Sequence, residues 1–291
     1  MKIAVASGKG GTGKTTVATS LAVVASGADR RVGYVDCDVE EPNGALFLKP
    51  RFTETRPVHV PVPTVNDEMC TRCGRCGEIC QFNAIAVMER QVLVFPELCH
   101  ACGGCRLVCP TGAITETPRR TGQLQLGSAD GIPCIQGLLN IGEPISPPII
   151  AAARKAAPEV DLLVIDAPPG TSCPVIESLR ETDFVLLITE PTPFGLHDLK
   201  LAVEMVRALC LPFAVVINRS DAGDDRTRRY CDDEGIDVLA EIPDDRRIAE
   251  AYSRGTLACE ASQAYRERIE HLLERLEALT GTGADDRRVQ P

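Results

Sequence analysis

Fourteen of the 291 residues are cysteine, and eight of them fall into two runs of one spacing. Cys70, Cys73, Cys76 and Cys80 follow C-x2-C-x2-C-x3-C. Cys99, Cys102, Cys105 and Cys109 repeat it twenty-nine residues later, with Pro110 closing the second run where Gln81 closes the first. Thiolates at i, i+3 and i+6 can wrap three corners of an iron–sulfur cubane, and a fourth ligand must come from elsewhere. Structural zinc commonly takes two C-x2-C pairs in a tetrahedron, which fits runs of four poorly. Near the N-terminus, Gly8-Lys9-Gly10-Gly11-Thr12-Gly13-Lys14-Thr15 fits G-x-x-x-x-G-K-[ST]. Its glycines let backbone N–H groups converge on phosphate oxygens, Lys14 reaches the outer phosphates, and the Thr15 hydroxyl binds Mg²⁺. A triphosphate loop and an iron–sulfur motif in one chain point to nucleotide hydrolysis joined to electron or cluster chemistry.

The elements that must position these groups read as an α/β protein. A short strand over residues 2–7 precedes the glycine loop, and a helix runs from about Lys14 to Ala25, stopped by Gly27. Val32–Asp36 predicts a second strand. The short, apolar, nearly continuous runs Leu162–Ile165, Phe184–Ile188 and Phe213–Ile217 predict strands buried on both faces. Helical patterns near 146–157, 195–210 and 262–279 lie between and after them. Strands alternating with helices give an open, mainly parallel sheet. The cysteine block interrupts this rhythm. Set on itself at an offset of twenty-nine, it superposes all eight cysteines, Gly74 on Gly103 and Ala84-Ile85 on Ala113-Ile114, the mark of an internal duplication. Pro57, Pro61 and Pro63 before it and Pro118 and Gly122 after it predict boundary linkers. The expected organisation is a discontinuous nucleotide-binding domain (1–62 and 119–280), an inserted domain (63–118) and a disordered tail (281–291).

Lys9 is not part of the generic phosphate-loop pattern. The loop GKGGTGKT resembles the deviant Walker A signature of the MinD/ParA ATPases, a family that includes Mrp-type iron–sulfur carriers. The resemblance spans about residues 1–60 and 120–260. It implies ATP or ADP bound by Gly8 through Thr15 and by Thr16, and an ATP-sandwich homodimer in which Lys9 reaches the partner's nucleotide. By the same resemblance Asp38 orients the attacking water, Asp36 supports Mg²⁺, and Asp166, before Pro168-Pro169-Gly170, is the Walker B aspartate. Lys9, Lys14 and Asp38 are then the catalytic residues, and Thr15, Asp36 and Asp166 the Mg²⁺ site. Asn218, Arg219, Pro243 and Asp244 match where the family builds its adenine pocket.

The cysteine block, in turn, resembles a bacterial-type two-cluster ferredoxin. That resemblance implies one [4Fe–4S] cluster on Cys70, Cys73, Cys76 and Cys109 and a second on Cys99, Cys102, Cys105 and Cys80. Mrp-type carriers place a bridging cluster on a late CxxC pair, and no CxxC follows Cys109 here. The departure favours an ATP-gated electron donor to a partner protein, with a cluster-assembly ATPase delivering to client apoproteins as the alternative and a positioning ATPase with redox-sensing clusters as a third reading.

Bulk composition narrows the partners. A net charge of −10 counts against nucleic acid and against an acidic membrane surface. With no signal-peptide pattern and no apolar stretch of about 20 residues, the expectation is a cytoplasmic chain. Cys37, Cys134, Cys173, Cys210, Cys231 and Cys259 are scattered singly and are expected to be small buried hydrophobes. By the family resemblance Cys173, just past the Pro168–Gly170 turn, stands where a nucleotide-sensitive bridging ligand would sit, as in the nitrogenase iron protein. His59, His100, His197 and His271 show no paired ligand spacing, though His100 lies between two cysteines of the second run. Ile269, Leu272, Leu273, Leu276 and Leu279 share one face of the last helix, whose mixed-charge polar face predicts packing on the domain.

Overall fold

The computed structural model describes residues 1–27 and 30–286, with side chains through residue 280. In chain order the first half forms β1 (Lys2–Ala6), α1 (Lys14–Ser26), β2 (Val32–Asp36), α2 (Gly44–Leu48), β3 (Arg51–Val65), α3 (Arg75–Ile79), β4 (Ile85–Val87), β5 (Val92–Val94), α4 (Gly104–Leu107), β6 (Ile114–Ala129) and β7 (Ile132–Leu139). The second half forms α5 (Pro147–Lys155), β8 (Leu162–Asp166), α6 (Cys173–Leu179), β9 (Phe184–Thr189), α7 (Pro193–Ala208), β10 (Phe213–Asn218), α8 (Arg226–Asp233), β11 (Val238–Ile242), α9 (Arg246–Ser253), α10 (Ala258–Ala261) and α11 (Gln263–Asp286).

Alternation along β1 shows why the sheet sits in the middle. Ile3 and Val5 face a core built with α1 and α11, through Val17, Leu21, Ile269, Leu272 and Leu276. Ala4 and Ala6 face the opposite core, with α5, α6 and α7, through Ile149, Ile150, Val175, Leu179, Leu199 and Val203. Successive side chains of a strand point to opposite faces, so a strand covered on both must be apolar at every position. The sheet order is β11-β10-β9-β1-β8-β2-β7-β6-β3, parallel from β11 to β7, with β6 antiparallel to both its neighbours. The C-terminal ends of β1, β2 and β8 meet on one edge. That edge is where an open parallel sheet binds ligands.

Two expectations change here. The proline-rich flanks of the cysteine block are not linkers; they are strands. β3 and β6 pair from Arg51↔Ser128 to Val65↔Ile114, so the expected domain boundaries at 62/63 and 118/119 fall inside continuous strands. Proline is tolerated because β3 is the sheet's edge, and Pro57, Pro61 and Pro63, at odd positions, share one backbone orientation. Pro118 lies beyond Gly122↔Leu139, where β7 ends and β6 loses its second neighbour. Past that point the hairpin continues eight residues on its own, an arm of roughly 25 Å at strand rise. β7 runs parallel to β2, so the arm leaves the sheet on the edge that carries the phosphate loop.

The second change concerns the C-terminus. Ile269, Leu272, Leu273 and Leu276 are buried as expected, but Leu279 is 38% exposed. α11 continues to Asp286 across the expected start of the tail, and residues 287–291 lie outside the described residues.

Candidate functional site

The glycine loop leaves β1 and delivers its backbone to the start of α1, whose N-cap Gly13 has φ 93°. That left-handed turn is open to glycine and strained for other residues. Lys14 is buried at the helix start, and the buried Thr12 hydroxyl has no partner. Gly8 is required for a different reason. A Cβ there would stand 2.2 Å from the backbone oxygen of Asp198, so α7 packs directly on the loop. Gly8→Ala is expected to cost about 1–3 kcal/mol by forced displacement of α7 and to weaken nucleotide binding at least tenfold, checked by thermal melts and ATP titration.

Three aspartates converge beside the loop. Asp36 and Asp166, ending the adjacent strands β2 and β8, are both 1% exposed. Asp36 accepts from the N–H groups of Asp38 (3.1 Å) and Gly44 (2.9 Å), which pins the turn between them. Asp166 accepts from the Tyr34 hydroxyl at 3.0 Å through one oxygen, while its other oxygen has no partner. Burial pushes the Asp166 carboxyl up to about 6, against the pull of Lys14, Thr15 and Tyr34. Burial and the neighbouring Asp166 raise Asp36 well above the carboxylate range. Asp38 is raised by burial and held back by Lys14. The backbone laces these segments together: Cys37 N–H donates to Asp166 O at 2.9 Å, and Gly170 N–H to Ser7 O at 3.0 Å.

Lys9 does not stand free in the single chain. Its ammonium lies 3.4 Å from Glu190, which also accepts from Arg219 at 2.7 Å, and Arg219 stands 3.6 Å from Asp244. Asn218 donates to the Thr12 carbonyl at 2.8 Å, so it braces the loop itself. Asn218 thus touches the loop at Thr12, and Arg219 and Asp244 connect to it through Glu190 and Lys9, while Thr15 and Thr16 stand in the first turn of α1. Sequence reasoning missed Tyr34 and Glu190. Glu190 had a readable signal, an acid directly after the buried parallel strand β9.

The cysteine block hangs at the end of the β3–β6 arm. Its backbone repeats itself at the offset found in sequence. Left-handed residues recur at Arg72 and Ala101, at Gly74 and Gly103, and at Asn83 and Gly112. The turn bonds recur too, Glu78 N–H to Gly74 O and Leu107 N–H to Gly103 O, at 3.1 and 3.2 Å. Two cavities result. One is lined by Cys70, Cys73, Cys76 and Cys109, together with Val65 and Ile114 at the end of the hairpin. The other is lined by Cys80, Cys99, Cys102 and Cys105, with Pro61, Pro63 and Glu116. Each therefore combines three cysteines of one run with the fourth of the other.

Backbone N–H groups face the sulfurs: Ala84 donates to Cys80 at 3.3 Å and Ala101 to Cys99 at 3.4 Å. Slight burial works against it, but the Thr111 hydroxyl and nearby N–H groups hold the Cys109 thiol below its usual range. Four thiols per cavity with amide donors around them suit a thiolate-ligated iron–sulfur cluster. Among the described residues, no group of three or more His, Cys, Asp or Glu converges as a single metal ion requires. His100 lies flat on Phe82, ring centroids 3.6 Å apart, on the wall of the second cavity. Of the scattered cysteines, Cys37, Cys134, Cys231 and Cys259 are buried, whereas Cys173 and Cys210 are exposed, correcting the expectation for those two. Cys173 begins α6 after the Gly170 turn, and among the described residues it belongs to no group of three or more His, Cys, Asp or Glu that could hold a metal ion.

A family model described as the CobQ/CobB/MinD/ParA nucleotide-binding domain matches residues 3–258. The chain belongs to that family. Among curated relatives, an uncharacterized protein of Methanocaldococcus jannaschii is 33% identical over 95% of this chain and 96% of its own length. An iron-sulfur cluster carrier protein of Pyrococcus horikoshii is 26% identical over 98% of this chain and 90% of its own. Among solved structures, the septum site-determining protein MinD with Mg-ADP from Pyrococcus horikoshii covers 97% of each chain at 19% identity, with a TM-score of 0.59. The cell division ATPase MinD of Pyrococcus furiosus gives 0.60 at 20% identity, covering 96% of this chain and 98% of its own. The MinD-like fold is therefore shared, and the family is a nucleotide-binding one. Among the described residues no helix is long and apolar enough to cross a membrane.

Proposed function

We propose that this MinD/ParA-family chain is an ATPase that works as a dimer closed around ATP and couples nucleotide state to electron transfer from two [4Fe–4S] clusters to a partner protein. The observation that carries this reading is the sorting of the eight cysteines into two cavities of four, on an arm that leaves the sheet at the phosphate-loop edge.

Catalysis in this reading is positioning and charge compensation. The loop N–H groups and Lys14 would cradle the phosphates. Thr15 and Asp166, whose free oxygen is already buried and desolvated, would hold Mg²⁺. Asp36 has both oxygens engaged by backbone N–H groups, so its part is to fix the turn that carries Asp38. Asp38 would orient water in line with the γ-phosphate. Lys9 would exchange Glu190 for the partner's nucleotide, trading a half-buried ion pair for a charge contact formed only in the closed dimer. Cys70, Cys73, Cys76 and Cys109 would hold one cluster and Cys80, Cys99, Cys102 and Cys105 the other. When bound, the two clusters supply one-electron carriers.

The relatives named as iron-sulfur cluster carriers favour a second reading, in which the ATPase loads or delivers clusters. Reduction of a partner without loss of iron supports the first; transfer of iron and sulfide to an apo-acceptor supports the second. Both share one test. Prepared anaerobically, the protein should be brown with about eight irons per chain. Lys14→Ala should keep that iron while losing ATP binding by about a hundredfold or more. Zinc in place of iron rules out the cluster reading, and joint loss of iron and nucleotide binding contradicts two separable sites.

A further inference from the structure

We propose that Arg119 and Glu143 are a positioning pair that carries nucleotide state from the Asp38–Glu41 segment to the cavity of Cys80, Cys99, Cys102 and Cys105, and to that cavity selectively. The inference rests on the iron–sulfur ATPase reading above and names how its two sites would communicate.

The connection is short and made of ordinary contacts. Val39, next to Asp38, accepts from the Leu139 N–H at 2.8 Å, tying the segment after β2 to the end of β7. The Val39 side chain packs so closely over Gly137 that a Cβ there would meet it at 2.5 Å. One residue on, Asn140 N–H donates to Thr121 O at 2.9 Å, and Glu143 N–H donates to Asn140 O at 3.1 Å. Glu143 then takes both terminal nitrogens of Arg119, at 2.5 and 2.9 Å. Its side chain is only 4% exposed and that of Arg119 20%, so water competes little for the pair. Arg119 sits on β6 opposite Val60, at the root of the arm, and its guanidinium lies within electrostatic reach of Glu97 and Cys99. Downstream of Glu143, Ser146 and Ile150 line a cleft together with Asp38, Glu40, Glu41, Pro168 and Pro169. The loop 140–146 thus faces both segments across that cleft at one end and touches the arm at the other.

Selectivity follows from the arm's geometry. The cavity of Cys80 and the second run includes Pro61, Pro63 and Glu116, strand residues within a few positions of Arg119. The other cavity is closed by Val65 and Ile114, farther out on the hairpin. A fixed guanidinium favours the more negative, reduced form of whatever is bound beside it, and its field weakens with distance. A bidentate fork fixes that charge in place, which a lysine ammonium would not do. Movement of residues 38–41 towards a γ-phosphate would therefore shift Arg119 relative to Cys99 and leave the distal cavity unaffected.

The test is an EPR-monitored potentiometric titration of the anaerobic holoprotein with and without Mg-AMP-PNP. In wild type one cluster should shift by about tenfold in its one-electron equilibrium, about 59 mV, while the other stays put. Cys102→Ser, by altering one signal, shows which cluster moves, and it should be the shifting one. Glu143→Gln should keep about eight irons and wild-type AMP-PNP affinity but lose the nucleotide-dependent shift. If Glu143→Gln fails to hold iron, Arg119→Lys decides by the same measurement, with the shift lost and the charge kept. A shift that survives in the variants, one equal at both clusters, or none in wild type with nucleotide and iron bound overturns the proposal and leaves the ATPase reading standing. Loss of iron in both variants also overturns it, assigning the pair to holding the arm. Wild-type protein without iron fails the underlying reading itself, and the iron assay alone reveals that case.

Discussion

Asp166→Asn should raise the melting temperature of the nucleotide-free protein by several degrees at pH 8, and reduce ATP hydrolysis by about a hundredfold or more. The carboxyl is buried, faces Asp36, and is pushed up to about 6. A group whose folded value lies above its unfolded value, here an ordinary 3.8, stabilises the fold when protonated. That contribution is present below pH 4 and is lost as pH rises through 6. At pH 8 the ionised Asp166 therefore costs on the order of 2–3 kcal/mol, which a neutral amide avoids. The amide oxygen can still accept from Tyr34, so the hydrogen bond at 3.0 Å need not be lost. The advantage of the variant should shrink steadily between pH 6 and pH 4. Melting curves of both proteins across that range check the sign, and a variant less stable than wild type at pH 8 would mean that the carboxylate is already well compensated. The wild-type chain keeps a destabilising charge where a divalent cation would neutralise it, so added Mg-ATP should raise the wild-type melting temperature far more than the variant's.

How much of this was legible beforehand depends on which force made each feature. The central strands and α1 were readable because they are buried on both faces or abut the glycine loop, and local sequence alone states both conditions. That Asp36, Asp38 and Asp166 gather beside the loop was legible from the order in which the family resemblance places them. β3, β6 and β7 were not. Their stability comes from pairing between residues up to 100 positions apart, as in Tyr34↔Cys134, which no local pattern reports. Prolines that break an internal strand are harmless on an edge, so Pro57, Pro61 and Pro63 pointed the wrong way. The Lys9–Glu190 and Arg119–Glu143 pairs were invisible for the same reason, since each joins segments distant in sequence. The cysteine duplication was fully legible, because repeated spacing is itself sequence information, and the backbone repeats it residue for residue at Gly74 and Gly103.

Removing one thiol from each run and removing two from one run should give opposite results from those expected if each run held its own cluster. Cys73→Ser/Cys109→Ser takes both from one cavity, and should leave about four of about eight irons. Cys73→Ser/Cys80→Ser takes one from each cavity, and should leave few or none. If each run held its own cluster, the first pair would damage two sites and the second only one, so the iron counts would be reversed. The comparison also controls for loss of folding. Among the described residues the buried apolar cluster around these cavities comprises Cys76, Ile85 and Ile114, with Val65, Val87, Val92 and Val94 partly buried against it. So little apolar burial cannot hold roughly fifty residues in place, and bound clusters would supply much of the stability of this end of the arm. Some loss beyond the directly damaged site is therefore expected in both variants, and the ordering of the two iron counts, not either value alone, decides whether the fourth cysteines cross.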